Sequence, residues 1–393
     1  MQIYVVQRGD SVDSIAETTG ASASQIISDN QLIYPYELAV GQALLIEHKD
    51  SSQSGLSVVA DGEGNPTRSV YVSGYAYPFI SSWVLEQTLP YLSELPVFSY
   101  GFTLYGDLIE PDWDDRWLIN AARQQGVLPI LTLTPLGEDG RFNNNLISSV
   151  VNNPAYMDNL IQNMLILMDE KGYQGVDIDF EYILAEDRDA FTDFVRRVAG
   201  IMRANGYHTS VALAPKTSAG QEGLLYAGKD YAALGEAADH VLLMTYEWGY
   251  TYGPPMAVAP INQVRRVVEY ALTEIPAEKI DLGIPNYGYD WPLPYERGVT
   301  AARTINNIQA VRIAIEQGAE IQFDEVAQSP YFRYTDAQTQ VEHEVWFEDV
   351  RSLQRKFDLM KEYGLRGCGY WQIMQWFRAN WLLLAGNFEI RKQ

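Results

Sequence analysis

The segment KGYQGVDIDFEYILAE, residues 171–186, places an acid at every second position of its central part. Asp177, Asp179 and Glu181 alternate there with bulky apolar residues, which are Val176, Ile178 and Phe180. A β-strand turns successive side chains to opposite faces, so the acids share one face and the apolar residues share the other. The pattern therefore predicts a strand with one apolar face and one face that carries three carboxyl groups.

Apolar, β-rich runs recur on both sides of this segment and alternate with helical patterns. They predict eight strands, at residues 69–77, 96–102, 127–135, 174–182, 209–215, 240–247, 279–288 and 367–373. Eight strands interleaved with helices predict an α/β fold, the (β/α)8 TIM barrel, whose active site lies at the C-terminal ends of the strands. The three acids must then point into the barrel and rise toward its mouth.

Composition divides the chain into parts. Residues 48–67 are small, polar and Gly-rich, which predicts a linker between a unit at 1–47 and the barrel domain at 68–393. The first unit has the pattern of a strand, two helices and a second strand. Within the barrel domain, residues 291–346 hold an additional helix and strand-like pieces. We expect a small α+β insertion there, between strands seven and eight, forming one wall of a cleft.

The net charge of −23 over 393 residues excludes several classes of function. Without clusters of Lys and Arg, we expect no nucleic-acid partner, and any glycan ligand should be neutral. No apolar run approaches the roughly 20 residues of a membrane span, so no membrane partner is expected. A single cysteine, Cys368, excludes an internal disulfide. The first residues lack the pattern of a secretory signal, so we expect synthesis in the cytosol without export.

Three stacked carboxyl groups repel one another when all are ionised, so at least one pKa should rise and proton sharing is expected. Glu181 is nearest to the mouth and is the best candidate for a proton donor. A solvated acidic face and a site for a hard cation are the alternative interpretations. No histidine lies near the acids, and the four in the chain lack metal-ligand spacing, so we expect no metal and no cofactor.

The acidic strand and three other strand ends resemble those of a known family. QGVDIDFEY resembles the D-G-x-D-x-D-x-E signature of family 18 glycoside hydrolases, the chitinase-like TIM barrels. MTYEWG (244–249), GIPNYGYDW (283–291) and GYWQI (369–373) also resemble strand ends of that family. The resemblance implies a retaining hydrolase with substrate-assisted catalysis, in which the 2-acetamido oxygen of the sugar attacks the anomeric carbon.

The resemblance also implies a role for individual residues. Glu181 would protonate the glycosidic oxygen and then activate water. Asp179 would bind the acetamido N–H and share a proton with Asp177. Tyr246 would bind the acetamido oxygen, and Trp371 would form the apolar floor under the −1 sugar.

Two positions depart from the family pattern. Gln174 stands where the signature has its first Asp, and Glu247 replaces the Asp of the M-x-Y-D strand. We count both among the candidate substrate-binding residues. Three aromatic residues near strand ends join them as candidates, although each also fits ordinary packing: Trp248, Tyr287 and Trp291.

The N-terminal unit resembles a LysM module. Its marks are Y-x-V-x-x-G-D-S from Tyr4 to Ser11 and V-G-Q-x-L-x-I from Val40 to Ile46. Modules of this family fold as βααβ and bind N-acetylglucosamine-containing glycans in a shallow groove between two loops. The resemblance assigns seven residues to that groove: Gly9, Asp10, Ser11, Val12, Asn30, Leu32 and Ile33.

A LysM module joined to an N-acetyl-specific hydrolase resembles the bacterial spore enzymes that degrade cortex peptidoglycan during germination. The resemblance implies an N-acetylglucosaminidase acting on cortex or its fragments. It also implies synthesis in the mother-cell cytoplasm and a position at the boundary of coat and cortex, with spore coat proteins as further partners. Cortex strands contain uncharged muramic lactam, which suits an acidic enzyme. Two alternatives stay open: a chitinase or chito-oligosaccharide hydrolase, and a non-catalytic glycan-binding coat protein.

Overall fold

The computed structural model describes residues 1–47 and 68–392, so the linker predicted at 48–67 lies outside the described residues. The N-terminal unit consists of β1 (Gln2–Val5), α1 (Val12–Thr19), α2 (Ala23–Asp29) and β2 (Ala43–Ile46). Its two strands are antiparallel. Helix α1 begins where Ser11 and Ser14 form a capping box, and it ends at Gly20, whose φ is +71°. The predicted βααβ arrangement is confirmed.

The strands after this unit are β3 (Ser69–Gly74), β4 (Glu94–Phe102), β5 (Leu108–Ile109), β6 (Leu128–Leu133), β7 (Gly175–Ile178), β8 (His208–Leu213), β9 (His240–Leu243), β10 (Ile280–Pro285), β11 (Gly288–Pro292), β12 (Arg303–Ile305), β13 (Gln322–Asp324), β14 (Ser329–Thr335), β15 (Glu342–Trp346), β16 (Gly367–Trp371) and β17 (Glu389–Ile390). The helices are α3 (Ser82–Thr88), α4 (Arg116–Gln124), α5 (Asn144–Val151), α6 (Pro154–Lys171), α7 (Arg188–Ala204), α8 (Tyr231–Ala237), α9 (Ile261–Glu274), α10 (Asn307–Gln317), α11 (Val350–Tyr363) and α12 (Arg378–Asn387). Short 3-10 turns lie at Leu89–Tyr91, Ala185–Asp187 and Ala277–Lys279.

Eight of these strands form a closed parallel barrel in the order β3, β4, β6, β7, β8, β9, β10 and β16. Pairing of β16 with β3, and of β3 with β4 at Ser73 and Glu94, completes the ring. All eight predicted strands are present, and the predicted TIM barrel is confirmed. In the described ranges, no helix is long and apolar enough to cross a membrane.

The acidic strand β7 is the part of the barrel that positions the site. Val176, Ile178 and Phe180 are fully buried against the surrounding helices, where the ring of Phe180 stacks on that of Phe194 with centroids 5.8 Å apart. This burial fixes the register of the strand, because a slip by one residue would turn the acids into the apolar layer. The regular strand ends at Ile178, so Glu181 lies beyond the sheet at the mouth of the barrel.

Between β10 and β16 the chain forms a second, five-stranded antiparallel sheet in the order β12, β11, β15, β14, β13, covered by α10. It begins at Gly288, before the expected boundary at residue 291. Gly288 is required there, because a Cβ would lie 2.3 Å from the carbonyl oxygen of Trp346 in the neighbouring strand.

The N-terminal unit packs directly against the barrel domain. Arg378 Nε lies 2.9 Å from Asp29 Oδ1, and the Arg378 amide donates to the side chain of Gln31. The Ile321 amide donates to the carbonyl of Val40, 2.8 Å away. Gly41 allows this close approach, since its φ is +83° and a Cβ would lie 1.8 Å from the Ile321 carbonyl oxygen. The LysM-like unit is therefore docked on the insertion and on α12.

Candidate active site

The three acids occupy successive levels of the barrel interior. Asp177 is the deepest and is 1 % exposed. Its two carboxylate oxygens accept hydrogen bonds from Tyr75 Oη at 2.8 Å and from Ser210 Oγ at 2.6 Å. Burial raises its pKa, and these two donors oppose the rise. Within the described chain, no hydrogen bond joins Asp177 to Asp179, so the structure contains no direct link for the proton sharing that we expected between them.

Asp179 lies one level above, and its Oδ1 atom has no hydrogen-bond partner among the described residues. Burial raises its pKa well above the usual range, and the nearby charges of Glu181 and Asp177 raise it further. An unpartnered carboxyl group in this position favours its protonated form and is free to bind a polar group from a ligand.

Glu181 stands at the mouth, accessible from the cavity. The concave walls still displace much of its solvent, which raises its pKa, while the positive charge of Lys229 lowers it. A carboxyl group with a raised pKa that a ligand can reach is the requirement for a general acid near neutral pH. In the described parts of the chain, no group of three or more His, Cys, Asp or Glu side chains is arranged to hold a metal ion.

A cavity of about 640 Å³ opens above these acids. Its lining includes most of the predicted catalytic and substrate-binding residues: Asp179, Glu181, Tyr246, Glu247, Trp248 and Trp371. Trp371 is half-buried and is held edge-on by Phe98 and Tyr75, at centroid distances of 4.8 Å and 5.7 Å. Burial and the three acids raise the pKa of Tyr246 well above its usual range, so its hydroxyl stays a neutral donor.

Glu247 is presented to the cavity by an unusual backbone. Its φ is +68°, a left-handed conformation that non-glycine residues seldom adopt. The hydroxyl groups of Tyr287 and Tyr289 both donate to Glu247 Oε1, the second at 2.9 Å. Burial raises the pKa of Glu247 and the two tyrosines lower it. Tyr287 therefore reaches the site through Glu247 and is absent from the cavity lining.

Two predicted substrate-binding residues lie elsewhere. Gln174 precedes β7 at the opposite end of the barrel, where its side-chain amide donates to the carbonyls of Gly172 and Tyr173. Trp291 is completely buried in β11, and its indole N–H donates to the carbonyl of Gly253 at 2.8 Å. Neither residue lines the cavity, because Gln174 comes before the strand and Trp291 turns into the core beneath the insertion.

The seven residues predicted for the LysM groove do not all line one cavity either. Asp10 accepts from Tyr4 Oη and from the Gln7 amide, Ser11 caps α1, and Val12 is buried. The amide group of Asn30 bonds to the backbone of Ile26 and Leu45 and is fully used within the module. Leu32 and Ile33 face α10 across a cavity of about 200 Å³, and Gly9 with its neighbours does not line that cavity.

Several residues that shape the site were not predicted from the sequence. Tyr77 and Phe98 line the cavity, and Tyr75 holds Asp177. Tyr75 and Tyr77 alternate just after β3 much as the acids do along and beyond β7, so their spacing was a usable signal. Lys229 bonds to the backbone of Glu181, and no motif surrounds it.

A closed barrel with a row of acids at its mouth is the architecture of glycosidases of the chitinase class. The pattern of the Glycosyl hydrolases family 18 matches residues 137–375, and the chain belongs to that family. The LysM domain pattern matches residues 4–47. Both resemblances identified in the sequence are thereby confirmed.

Two relatives are similar over their whole length. The chain is 37% identical to the cortical fragment-lytic enzyme of Bacillus subtilis, with 100% of this chain and 99% of that protein covered. The crystal structure of the Bacillus cereus spore cortex-lytic enzyme SleL is similar with a TM-score of 0.92 at 35% identity, covering 100% of this chain and 98% of that one.

Proposed function

We propose that this protein is a retaining N-acetylglucosaminidase that hydrolyses spore-cortex peptidoglycan or its fragments during germination. The observation that carries the proposal is the convergence of Glu181, Asp179, Tyr246 and Trp371 on one cavity. These groups supply an acid, a second carboxyl group, a neutral hydroxyl donor and an apolar floor, which together suit an N-acetylated sugar.

The placement of the carboxyl groups supports a nucleophile that comes from the substrate. A retaining enzyme that uses two carboxyl groups needs them on opposite sides of the scissile bond, about 5–5.5 Å apart. Asp179 lies two residues before Glu181 on the same face, deeper in the barrel and 9 % exposed. It is poorly placed to attack the anomeric carbon. The 2-acetamido oxygen of the sugar takes that role.

The reaction then proceeds in two steps. Glu181 gives its proton to the glycosidic oxygen as the bond to the anomeric carbon breaks, and the acetamido oxygen forms the new bond to that carbon. Asp179 binds the acetamido N–H, and the hydroxyl of Tyr246 donates to the acetamido oxygen. The intermediate is an oxazolinium ring that keeps its N–H. Water next attacks the anomeric carbon and gives a proton to the Glu181 carboxylate, so the ring opens to the acetamido group and the acid is restored.

An aromatic surface supports a glycan of several residues as substrate. From Trp371, rings continue outward through Tyr77, Phe79 and Trp113, at centroid distances of 6.2 Å, 5.1 Å and 6.1 Å between successive pairs. Phe79 and Trp113 are 54% and 62% exposed. Exposed aromatic faces stack on the apolar faces of sugars and carry no charge, in agreement with a neutral ligand.

The relatives named as cortex-lytic enzymes and the LysM module support cortex peptidoglycan as the glycan. The net charge of −23 favours the uncharged muramic lactam of cortex over the acidic peptidoglycan of an ordinary wall. Deposition in the spore, at the boundary of coat and cortex and in contact with coat proteins, follows from this role.

Mass spectrometry of cortex muropeptides tests the proposal, with wild type and Glu181→Gln incubated in parallel and with chitin oligosaccharides as a second substrate. We expect new reducing-end N-acetylglucosamine from cortex, released with retained configuration by NMR and lost in the variant. Glu186→Gln, an exposed glutamate on the following turn, is the control and should cleave normally. Cleavage of chitin oligomers alone would favour a chitinase. Binding of both glycans without cleavage would favour a coat lectin.

A further inference from the structure

A buried lysine lies directly behind the acid at the mouth. Lys229 is 1 % exposed and immediately precedes Asp230, the residue that caps α8. Its Nζ donates to the carbonyl oxygens of Phe180 at 2.7 Å and Glu181 at 2.8 Å. The contact therefore joins the loop after β8 to the backbone of the acid itself.

Those two carbonyls lie beyond Ile178, where β7 ends, and beyond the Asp179 amide, which still donates to the Leu133 carbonyl at 2.9 Å. No backbone N–H of the described residues donates to either carbonyl. The described residues also include no ion pair between Lys229 and a carboxylate, although burying an ammonium group without one is unfavourable. The charge is held beside the acids by backbone carbonyls alone, which is a costly arrangement for a purely structural contact.

The loop that carries Lys229 is fixed on three sides. Gly228 permits close packing, since a Cβ there would lie 2.5 Å from the carbonyl oxygen of Ile183. Lys216 Nζ donates to the Lys229 carbonyl at 3.0 Å. Asp230 caps α8 by accepting from the Ala233 amide at 3.0 Å. These contacts fix the position of the Lys229 ammonium group.

We infer that Lys229 is a positioning residue of this hydrolase, one that fixes the backbone of Glu181 and supplies the positive charge that sets the protonation of Asp179 and Glu181. The catalytic part of this inference rests on the proposed function. Lys229 does not line the cavity, so it acts through the acids and not on the sugar.

The electrostatics agree with this geometry. Burial lowers the pKa of Lys229 to about 8, while Asp179 and Glu181 oppose that change and Lys216 adds to it. In return, the charge on Lys229 lowers the pKa of both acids against the effect of burial. The same acids face Asp177 below and Glu247 across the cavity. Removal of the positive charge should therefore let Glu181 keep its proton to a higher pH.

The test compares pH profiles of kcat/KM on cortex fragments for wild type, Lys229→Met and Lys229→Gln. Methionine removes both the charge and the donors, whereas glutamine removes the charge and keeps N–H donors. We expect the basic limb to move up by about one pH unit in both variants. At pH 7, kcat/KM should fall at least about tenfold in the Met variant and recover partly in the Gln variant.

Lys279→Met is the matched control. Lys279 Nζ also donates to backbone carbonyls, of Gly235 at 2.6 Å and Ala238 at 2.7 Å, but it lies before β10 at the opposite end of the barrel. Its loss should reduce stability and leave the pH profile in place. A basic limb that stays at the wild-type pH in both Lys229 variants would overturn the inference.

Carbon-13 NMR of the Glu181 carboxyl group, assigned with Glu181→Gln, separates failure of this inference from failure of the proposed function. If wild type cleaves no glycan, the proposed function fails. The titration midpoint of Glu181 still tests the inference about Lys229: a midpoint that is higher in Lys229→Gln than in wild type supports the inference, and an unchanged midpoint overturns it. If neither variant folds, the wild-type titration decides. A second inflection of the Glu181 signal, at the pH where the ammonium group of Lys229 loses its proton, supports the inference, and its absence overturns it.

Discussion

The hydroxyl of Tyr75 donates a 2.8 Å hydrogen bond to Asp177 across the barrel interior. Tyr75 follows β3 and Asp177 belongs to β7, so this bond ties the end of the first barrel strand to the floor of the acidic row. The same phenol ring packs edge-on against Trp371, at a centroid distance of 5.7 Å. One side chain thus contacts both the row of acids and Trp371.

Tyr75→Phe should destabilise the protein, because it removes one of the two donors to a buried carboxylate. We expect a loss of about 1–3 kcal/mol in the free energy of unfolding at pH 8. The pKa of Asp177 is already raised and should rise further, so the loss should shrink as the pH falls and Asp177 takes up a proton. Denaturant unfolding at pH 8 and pH 5 measures this difference. Tyr71→Phe, near the start of β3, removes a hydroxyl that accepts from Arg391 Nη1 at 3.5 Å, and it should show no such pH dependence.

Asp179→Asn should stabilise the fold while it reduces activity. The pKa of Asp179 is higher in the folded state than its value of 3.8 in the unfolded chain. Above pH 3.8, ionisation of this carboxyl group therefore reduces the stability of the folded protein. The amide removes that penalty, and we expect a gain of about 1–2 kcal/mol at pH 8 that disappears near pH 4. Activity should fall about 100-fold, since the acetamido group loses its carboxyl partner. Thermal unfolding at both pH values and kcat/KM on cortex fragments measure the two effects.

Asp112→Asn, at an exposed carboxylate, is the control for that experiment and should change neither stability nor activity. An Asp179→Asn protein that is less stable at pH 8 than at pH 4, relative to wild type, would contradict the prediction.

Trp113→Ala should weaken the use of long glycans selectively. Trp113 is exposed at the outer end of the aromatic surface, so its removal costs little stability. We expect KM for intact cortex strands to rise about 3- to 10-fold, while KM for disaccharide-sized fragments stays constant. Trp83→Ala is a matched control, because Trp83 is 54% exposed but packs against Trp376 away from the cavity lining. Equal effects of Trp113→Ala on both substrates would argue against an extended glycan site.

Gly41→Ala should release the LysM unit from the barrel domain. A left-handed conformation costs a non-glycine residue about 1–2 kcal/mol, and at Gly41 the clash with the Ile321 carbonyl adds to that cost. Gly20→Ala carries the same backbone penalty in open space, since nothing lies within 4 Å of its Cβ position. Thermal unfolding and limited proteolysis should therefore show a larger effect for Gly41→Ala. Similar losses of stability in both variants would mean that the close approach at Gly41 contributes nothing to the docking of the LysM unit.

The fold and the centre of the site could be predicted from the sequence because both depend on short-range patterns. Alternation in residues 174–182 determines which side chains share a face of the strand, since that period is a property of the extended backbone. The order of strands and helices then requires the barrel, and the barrel places Asp179 and Glu181 in its mouth. Tyr246 and Trp371 were identified only through the resemblance of MTYEWG and GYWQI to strand ends of family 18.

Only the tertiary structure decided which distant residues meet. Trp291 follows a barrel strand as a cleft residue would, yet it enters the core because β11 joins the sheet of the insertion. Lys229 reaches Glu181 across 48 residues, and no pattern around it indicates that contact. Contacts of this kind arise when the barrel closes and loops from neighbouring strands pack together. Their partners are set by the geometry of the whole ring, whereas the direction of a side chain in a strand is set by its immediate neighbours.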